Sequence, residues 1–235
     1  MECQYTWLGI VPYDDAWQLQ ENLSAAVGAG TQLPTLLLLE HPHTFTLGRR
    51  GDAKHLLWTP TELKKRDVQV RWVDRGGDIT YHGPGQLVGY PILPLAEPGW
   101  QGDRLPQADY VGYLRRLEQM LILTLLRLGI DAKPRENLTG VWVHLPDGTP
   151  AKIASIGIKV DVRGVTRHGF ALNVVPQMSY WRGIVPCGLE DVRMTSLEEL
   201  MPEPPSVADT AQMVVQAFSE VFDARMIQAT FIEMK

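Results

Sequence analysis

Residues 75–91 read Arg-Gly-Gly-Asp-Ile-Thr-Tyr-His-Gly-Pro-Gly-Gln-Leu-Val-Gly-Tyr-Pro. Four glycines fall within the ten residues 76–85, so the backbone of this stretch can approach a ligand closely. Gly83 and Gly85 precede a strand-like run at residues 86–95 and do not open a helix, which does not fit a dinucleotide-binding motif. We therefore expect a loop that leads into a sheet and contributes polar groups to a pocket, with a mobile surface loop as the alternative.

The flanking segments alternate between helical and strand patterns. Apolar residues recur at helical spacing over residues 13–27 and 108–128, which predicts two amphipathic helices. Two more helices are expected to begin near Ser196 and Ser206. An Asp-Gly pair between strand-like runs indicates a hairpin at residues 146–148. The remaining expectations are strands at residues 5–11, 35–40, 68–73, 86–95, 140–144, 151–162 and 165–174, and a loop at 97–107.

Hairpins outnumber β-α-β units in this order of elements, which favours an α+β fold over a doubly wound sheet. We predict a mixed β-sheet flanked by helices. A length of 235 residues is enough for one full core or two small ones, and we expect residues 1–235 to form a single domain with a C-terminal helix at about 206–223.

The composition narrows the class of protein. A net charge of −5 argues against binding nucleic acid or an anionic membrane through overall charge. Two cysteines do not form a disulfide framework, and no signal peptide or membrane span is recognisable, so we expect a cytoplasmic protein.

One cysteine is a candidate nucleophile. Cys187 lies between Pro186, which fixes the local backbone, and Gly188, which allows a sharp turn and a close ligand. Such a turn suits an activated thiol with backbone N–H groups nearby for an oxyanion. The alternative is a buried thiol that packs as a small hydrophobe.

A lysine is the candidate partner of this thiol. In the predicted strand at 151–162, Lys152 shares a face with Ala154, Ile156 and Ile158, because side chains alternate along a strand. A desolvated lysine favours its neutral amine and can act as a base. The alternative is a side chain at the strand end that extends to water.

No metal site is expected. His41, His43 and the other histidines have no zinc-finger, HExxH or deaminase spacing. A G-x-S-x-G serine hydrolase motif is also absent from the sequence.

Several segments together resemble the octanoyltransferases of lipoate biosynthesis, also called lipoyl(octanoyl) transferases. The long glycine-rich block is the most specific of them, and all occur in the order typical of that family. The matching segments are residues 40–42, 46–48, 75–91, 152–157, 168–173 and 186–188.

The resemblance implies an acyltransferase that moves octanoyl from octanoyl-acyl carrier protein to a lysine of a lipoyl domain. The acceptors implied are the lipoyl domains of 2-oxoacid dehydrogenase E2 subunits and the glycine cleavage H protein, and no cofactor is implied. Cys187 would carry the acyl-thioester and Lys152 would activate it. The fold implied is that of biotin and lipoate protein ligase catalytic domains. The acyl pocket implied comprises Arg75, Gly76, Gly77, Asp78, Ile79, Thr80, Tyr81, His82, Ser155, Ile156, Gly157, Gly169, Phe170 and Ala171.

The chemistry is consistent with these residues, because attack of a thiolate on a thioester is nearly isoenergetic and needs no ATP. One base could serve both half-reactions, and backbone N–H groups near Gly188 or in the glycine-rich stretch could bind the oxyanion. An acidic carrier protein requires a local basic patch, for which residues 49–50 and 64–66 are candidates, followed by Arg163 and Arg167. The alternative function is an ATP-dependent lipoate or biotin protein ligase on the same fold.

Overall fold

The computed structural model describes residues 1–96, 107–188 and 192–229, and it describes only the main chain of residues 107–109. Its strands are β1 (Glu2–Ile10), β2 (Thr35–Glu40), β3 (Thr44–Leu47), β4 (Gln69–Trp72), β5 (Ile79–His82), β6 (Gln86–Ile92), β7 (Ala132–Arg135), β8 (Leu138–His144), β9 (Pro150–Val160), β10 (Thr166–Asn173), β11 (Arg193–Met194) and β12 (Arg225–Gln228). Its α-helices are α1 (Tyr13–Gly28), α2 (Pro60–Lys65), α3 (Gln107–Arg127), α4 (Leu197–Leu200) and α5 (Val207–Phe222). The loop predicted at 97–107 lies almost entirely outside the described residues.

Within the described residues, a large sheet of nine strands forms the centre of the fold. Its order is β12-β1-β2-β6-β10-β9-β8-β7, and β11 adds to β9. Strand β1 is parallel to β2 and β12, whereas β2-β6, β6-β10, β10-β9, β9-β8 and β8-β7 are antiparallel. Helix α1 makes the crossover that a parallel β1-β2 pair requires. The predicted α+β class, a mixed sheet flanked by helices, is confirmed.

Both faces of the large sheet are buried. In β2, Leu36 and Leu38 pack with α3 and α5, whereas Leu37 and Leu39 pack with the apolar stripe of α1. The continuous run of leucines is explained by this burial on both sides, because neighbouring residues of a strand point to opposite faces. The helix predicted at 13–27 is confirmed as α1.

A second sheet, β4-β3-β5, stands beside the large one. Its strand β5 lies inside the glycine-rich stretch for which the sequence predicted a loop, so that expectation was wrong for Ile79–His82. These four residues pair with β3 in an antiparallel register and are all buried, which outweighs the neighbouring glycines.

The later elements follow the expected order. Helix α3 confirms the predicted long helix, and β8 and β9 form the predicted hairpin around the Asp-Gly turn. The helix predicted near Ser196 is only one turn long, α4. Strands β3, β7, β11 and β12 and helix α2 were not predicted. Among the described residues, no helix has the length and apolar character needed to cross a bilayer.

Candidate active site

A cavity of about 730 Å³ lies between the two sheets. Strands β9 and β10 of the large sheet form one wall, and the segment leading through β5 forms another. Tyr110 and Leu114 of α3 line it from the side, and Cys187 and Gly188 lie on its wall. The cavity thus brings together segments that are far apart in the sequence.

Cys187 occupies a strained turn. The short 3-10 turn Pro186–Gly188 places it at φ 58° and ψ 16°, a left-handed conformation that is uncommon for a residue with a side chain. Gly188 follows at φ 69°, and its N–H donates to the Val185 carbonyl at 3.0 Å. Two consecutive left-handed residues hold the thiol at the cavity wall, partly buried, as strained residues at functional sites often are. The Gly188 N–H is engaged in this turn.

Lys152 lies beside the thiol. Its side chain is only 4% exposed, so it does not extend to water. Its Nζ lies 3.4 Å from Cys187 Sγ and 5.6 Å from the centre of the Trp142 ring. The surroundings are therefore apolar and aromatic, with the sulfur as the hydrogen-bonding partner.

A glycine of the neighbouring strand leaves the space that Lys152 occupies. Gly140 of β8 has φ 119°, and a Cβ there would lie 2.6 Å from Lys152 Cε and 3.2 Å from Nζ. The Gly140 N–H donates to the buried carboxylate of Glu118 in α3 at 3.1 Å, and Arg115 pairs with that carboxylate. The carboxylate thus fixes Gly140, the strand neighbour against which the Lys152 side chain packs.

The predicted pocket residues lie around the cavity, with one exception. Arg75, Gly76, Gly77, Asp78, Ile79, Thr80 and His82 line it, and so do Ser155, Ile156, Gly157, Gly169, Phe170 and Ala171. Tyr81 does not: it lies in the core of the small sheet, where it stacks on Tyr180 and bonds His43. Side chains alternate along β5, so Thr80 and His82 cannot share their face with Tyr81.

Arg75 links the glycine-rich wall of the cavity to strand β3. It is 7% exposed and donates to the Thr46 hydroxyl and carbonyl and to the Gly76 carbonyl. Burial lowers the pKa of the guanidinium, and the neighbouring Tyr13 and Cys187 oppose that shift. The group thus places a buried positive charge within electrostatic range of the thiol.

The cavity wall also carries polar atoms with unused hydrogen-bonding capacity. Thr80 Oγ1, Ser155 Oγ and His168 Nδ1 are buried without a hydrogen-bond partner among the described residues. Such groups are uncommon in folded proteins and are typical of a binding surface. The cavity is therefore not a purely apolar tunnel.

Two buried histidines, His82 and His168, line the cavity, and His41 packs against His82. Burial lowers the pKa of His41 to about 4 and holds the pKa values of His82 and His168 below the usual value. Both ring nitrogens of His41 are hydrogen-bonded, to the Val11 carbonyl and the Tyr90 hydroxyl, each at 2.7 Å. These shifts favour the neutral form of the three rings. In the described part of the chain, no group of three or more His, Cys, Asp or Glu residues is arranged to hold a metal ion.

A charged cluster lies behind the wall. Asp74 bonds His168, Lys159 and Arg167 at 2.5 to 2.7 Å. Burial alone would raise the pKa of Asp74, but these hydrogen bonds and charges outweigh it and hold the pKa well below its usual value. Arg167 also pairs with Glu21 and is buried, so it is not available for a docking partner.

Of the remaining basic candidates, only one reaches the cavity. Arg163 pairs with Asp161, and residues 64–66 lie on the exposed surface of α2 and its end. Arg49 and Arg50 are exposed, and Arg50 lines the cavity. Their charges also act on Tyr110, whose pKa is raised by burial and lowered in part by the two arginines.

Sequence reasoning did not identify His55. It ends a short 3-10 helix, Ala53–His55, lines the cavity and bonds the Asp78 carboxylate at 2.5 Å. No motif surrounds it in the sequence, and 132 residues separate it from Cys187. Only the tertiary fold brings the two together.

Residues 12–219 match the family model of the lipoyl protein ligase A/B catalytic domain. The chain is 42% identical over 222 residues to an octanoyltransferase of Chloroflexus aggregans, which covers 94% of this chain and 96% of that protein. It is 43% identical over 225 residues to an octanoyltransferase of Solibacter usitatus, which covers 96% of this chain and 95% of that protein.

Solved structures show the same fold at lower identity. A bi-partite lipoate protein ligase from Thermoplasma acidophilum is 19% identical with a TM-score of 0.75, and the match covers 100% of this chain and 89% of that one. A lipoate-protein ligase A bound with ATP is 18% identical with a TM-score of 0.76, covering 100% and 91%.

Proposed function

The chain belongs to the octanoyltransferases, within the family of lipoyl protein ligase A/B catalytic domains, and is an acyltransferase of protein lipoylation; we propose that it transfers octanoyl from octanoyl-acyl carrier protein to a lipoyl-domain lysine. In this proposal the chain acts as a single catalytic domain and forms an octanoyl-thioester on Cys187. The observation that carries it is the 3.4 Å contact between Lys152 Nζ and Cys187 Sγ at the cavity wall.

The first half-reaction loads the enzyme. Lys152 accepts the proton of the Cys187 thiol, which raises the thiolate fraction that a free cysteine lacks at neutral pH. The thiolate attacks the thioester carbonyl, the bond to the carrier's sulfur breaks, and the Lys152 ammonium returns its proton to the departing sulfur. No net charge is created, because one thioester replaces another.

The second half-reaction delivers the acyl group. The amine of the acceptor lysine attacks the octanoyl-thioester, a carbon–nitrogen bond forms, and the carbon–sulfur bond to Cys187 breaks. One proton must leave the amine nitrogen during this step and return to the sulfur. The product is an amide, which is more stable than the thioester and drives the transfer forward.

Each half-reaction passes through a tetrahedral oxyanion. The Gly188 N–H already donates to Val185, so the turn does not provide it freely. We assign the oxyanion to the backbone N–H groups of Gly77 and Asp78, which donate no hydrogen bond within the described residues. Gly77 has a left-handed φ of 87°, which glycine adopts without the strain that a side chain would bring.

The partners follow from the charge and from the reaction. Exposed Arg49 and Arg50 beside the cavity suit the acidic surface of an acyl carrier protein. The acceptors are the lipoyl domains of 2-oxoacid dehydrogenase E2 subunits and the glycine cleavage H protein. We place the reaction in the cytoplasm, where free thiols such as Cys3 and Cys187 stay reduced.

Mass spectrometry after incubation with octanoyl-acyl carrier protein tests the proposal. We expect one octanoyl adduct without ATP, lost in Cys187→Ala and retained in Cys3→Ala, which is the matched control because the chain has no other cysteine. Adduct formation should slow strongly in Lys152→Met, which keeps the side-chain volume and removes the base. An octanoyl-adenylate that forms only with ATP would instead support the ligase alternative.

A further inference from the structure

A second titratable pair lies at the cavity beside the thiol. His55 Nδ1 and Asp78 Oδ2 are 2.5 Å apart, and the two side chains are 28% and 11% exposed. Both residues line the cavity that contains Cys187 and Lys152. The pair is therefore reachable from solvent, in contrast to Lys152, which is 4% exposed.

The backbone ties this pair to the turn that carries the thiol. The Val185 N–H donates to the His55 carbonyl at 2.8 Å, and Leu56 bridges to Ile184. A Cβ on Gly188 would lie 2.9 Å from His55 Cε1 and 2.5 Å from Asp78 Oδ2. The imidazole thus lies directly against the residue that follows Cys187.

The carboxylate fixes the imidazole in one orientation. Asp78 Oδ1 accepts from the Ile79 N–H at 2.7 Å and from the Asp52 N–H at 3.2 Å, so its position is set by the backbone. The other oxygen accepts from His55 Nδ1, so in the neutral ring the proton lies on Nδ1 and Nε2 carries a lone pair. Within the described residues, Nε2 has no hydrogen-bond partner, so it is available to accept a proton from a bound substrate.

Lys152 and His55 differ in their surroundings and in their access to solvent. Lys152 is enclosed by Trp142 and Gly140 and already contacts the sulfur, whereas an acceptor lysine must arrive from solvent as a charged ammonium. We propose that His55, oriented by Asp78, accepts the proton of the incoming lysine amine in the second half-reaction, and that Lys152 serves the thiol in the first. This inference rests on the proposed function, whose second half-reaction it completes.

The protons balance once the acceptor ammonium has released one proton to solvent. As the resulting neutral amine nitrogen bonds to the acyl carbon, one N–H proton passes to His55 Nε2. The bond between the acyl carbon and Cys187 Sγ then breaks, and the imidazolium gives its proton to the departing sulfur. The enzyme returns to its starting state with a protonated thiol, a neutral imidazole and no co-reactant consumed. Asp78 acts through His55 and is a positioning residue.

Single-turnover kinetics separate the two half-reactions. Octanoyl-acyl carrier protein loads Cys187 first, the carrier is removed, and a lipoyl domain is then added while the adduct is followed by mass spectrometry. In His55→Ala and His55→Gln, we expect loading to stay within about threefold and aminolysis to fall by roughly 10²- to 10⁴-fold, the usual contribution of a general base. Free imidazole should restore part of the rate in His55→Ala, and Asp78→Asn should slow aminolysis more than loading.

His144→Ala is the matched control, because His144 is exposed at the end of β8. Equal loss of loading and aminolysis in both His55 variants, or no loss of aminolysis, would overturn the inference and leave the proposed function standing. Failure of the unchanged chain to form the Cys187 adduct would overturn the proposed function and this inference with it.

Discussion

Acidification is expected to destabilise the folded chain through His41. This imidazole is fully buried, and burial lowers its pKa from 6.5 to about 4, with the Val11 hydrogen bond opposing the shift. The unfolded chain therefore binds a proton on His41 at a pH where the folded chain does not, and the free energy of unfolding falls as the pH falls. The stabilising contribution is complete above about pH 6.5 and is lost toward about pH 4.

The magnitude follows from these two values. At about pH 5 the unfolded His41 is almost fully protonated and the folded His41 is almost fully neutral. This difference lowers the free energy of unfolding by about 2 kcal/mol relative to its value at about pH 8. At still lower pH the folded ring also becomes protonated, and the decrease in the free energy of unfolding levels off at about 3 kcal/mol. His82 and His168 shift in the same direction and steepen the dependence of the whole chain.

A variant isolates the contribution of His41. His41→Gln removes the titrating ring, so its free energy of unfolding should fall by about 2 kcal/mol less than that of the unchanged chain between about pH 8 and about pH 5. Urea unfolding followed by tryptophan fluorescence at each pH measures the difference. His144→Gln, at an exposed position, should give the same pH dependence as the unchanged chain. Parallel curves for the unchanged chain and His41→Gln would refute the reasoning.

Three substitutions test the wall and mouth of the cavity. Gly140→Ala should slow loading of the Cys187 thiol roughly tenfold or more, because the new Cβ would lie 2.6 Å from Lys152 Cε, and stopped-flow kinetics alongside urea unfolding measures this. Gly89→Ala should cost about 1–3 kcal/mol of stability and shift the preference toward shorter acyl chains, because the methyl group takes space held by the Phe170 ring; kcat/KM over a chain-length series measures the shift. Arg50→Glu should raise KM for the carrier protein more than for a small octanoyl thioester, with a weaker salt dependence of carrier binding.

The predictable elements are those whose pattern is local. Helix α1 was recognised because Ala16, Leu19, Leu23 and Val27 form one stripe, and the same residues pack on the sheet. Strand β5 was missed because its neighbours are glycines, and its stability comes from pairing with β3 and from burial, which a local pattern does not contain.

The predictable part of the site is similarly limited. The turn at Cys187 and the apolar setting of Lys152 can be inferred from adjacent residues, and the structure brings the two side chains together. His55 could not be inferred, since its partners Asp78 and Gly188 lie 23 and 133 residues away in the sequence. The sequence also did not show which side of β5 faces the cavity, because this depends on how β5 pairs with β3. That pairing places Tyr81 in the core of the small sheet.

A chain of buried hydrogen bonds explains why the separate motifs occur together. His82 Nδ1 donates to Gln86 Oε1 at 2.8 Å, and Gln86 Nε2 donates to Asn173 Oδ1 at 2.9 Å. Asn173 Nδ2 then donates to the Thr195 carbonyl at 2.8 Å. Gln86 and Asn173 each donate and accept, so removal of either amide leaves two buried groups without this partner, at about 1–3 kcal/mol each. The glycine-rich block, the end of β10 and the segment after the Cys187 turn are therefore fixed relative to one another.

The same chain continues to the reacting groups. The Thr195 N–H donates to the Lys152 carbonyl at 3.0 Å, and β11 pairs with β9 so that Met194 lies opposite Lys152. The turn that carries Cys187 is held separately, because the Val185 N–H donates to the His55 carbonyl at 2.8 Å and Leu56 bridges to Ile184. A contact of 3.4 Å between two side chains is useful for catalysis only if such a frame holds it, because small displacements greatly reduce rates. Gln86, Asn173 and Thr195, which do not line the cavity, thus have a physical role in holding the strand that carries Lys152.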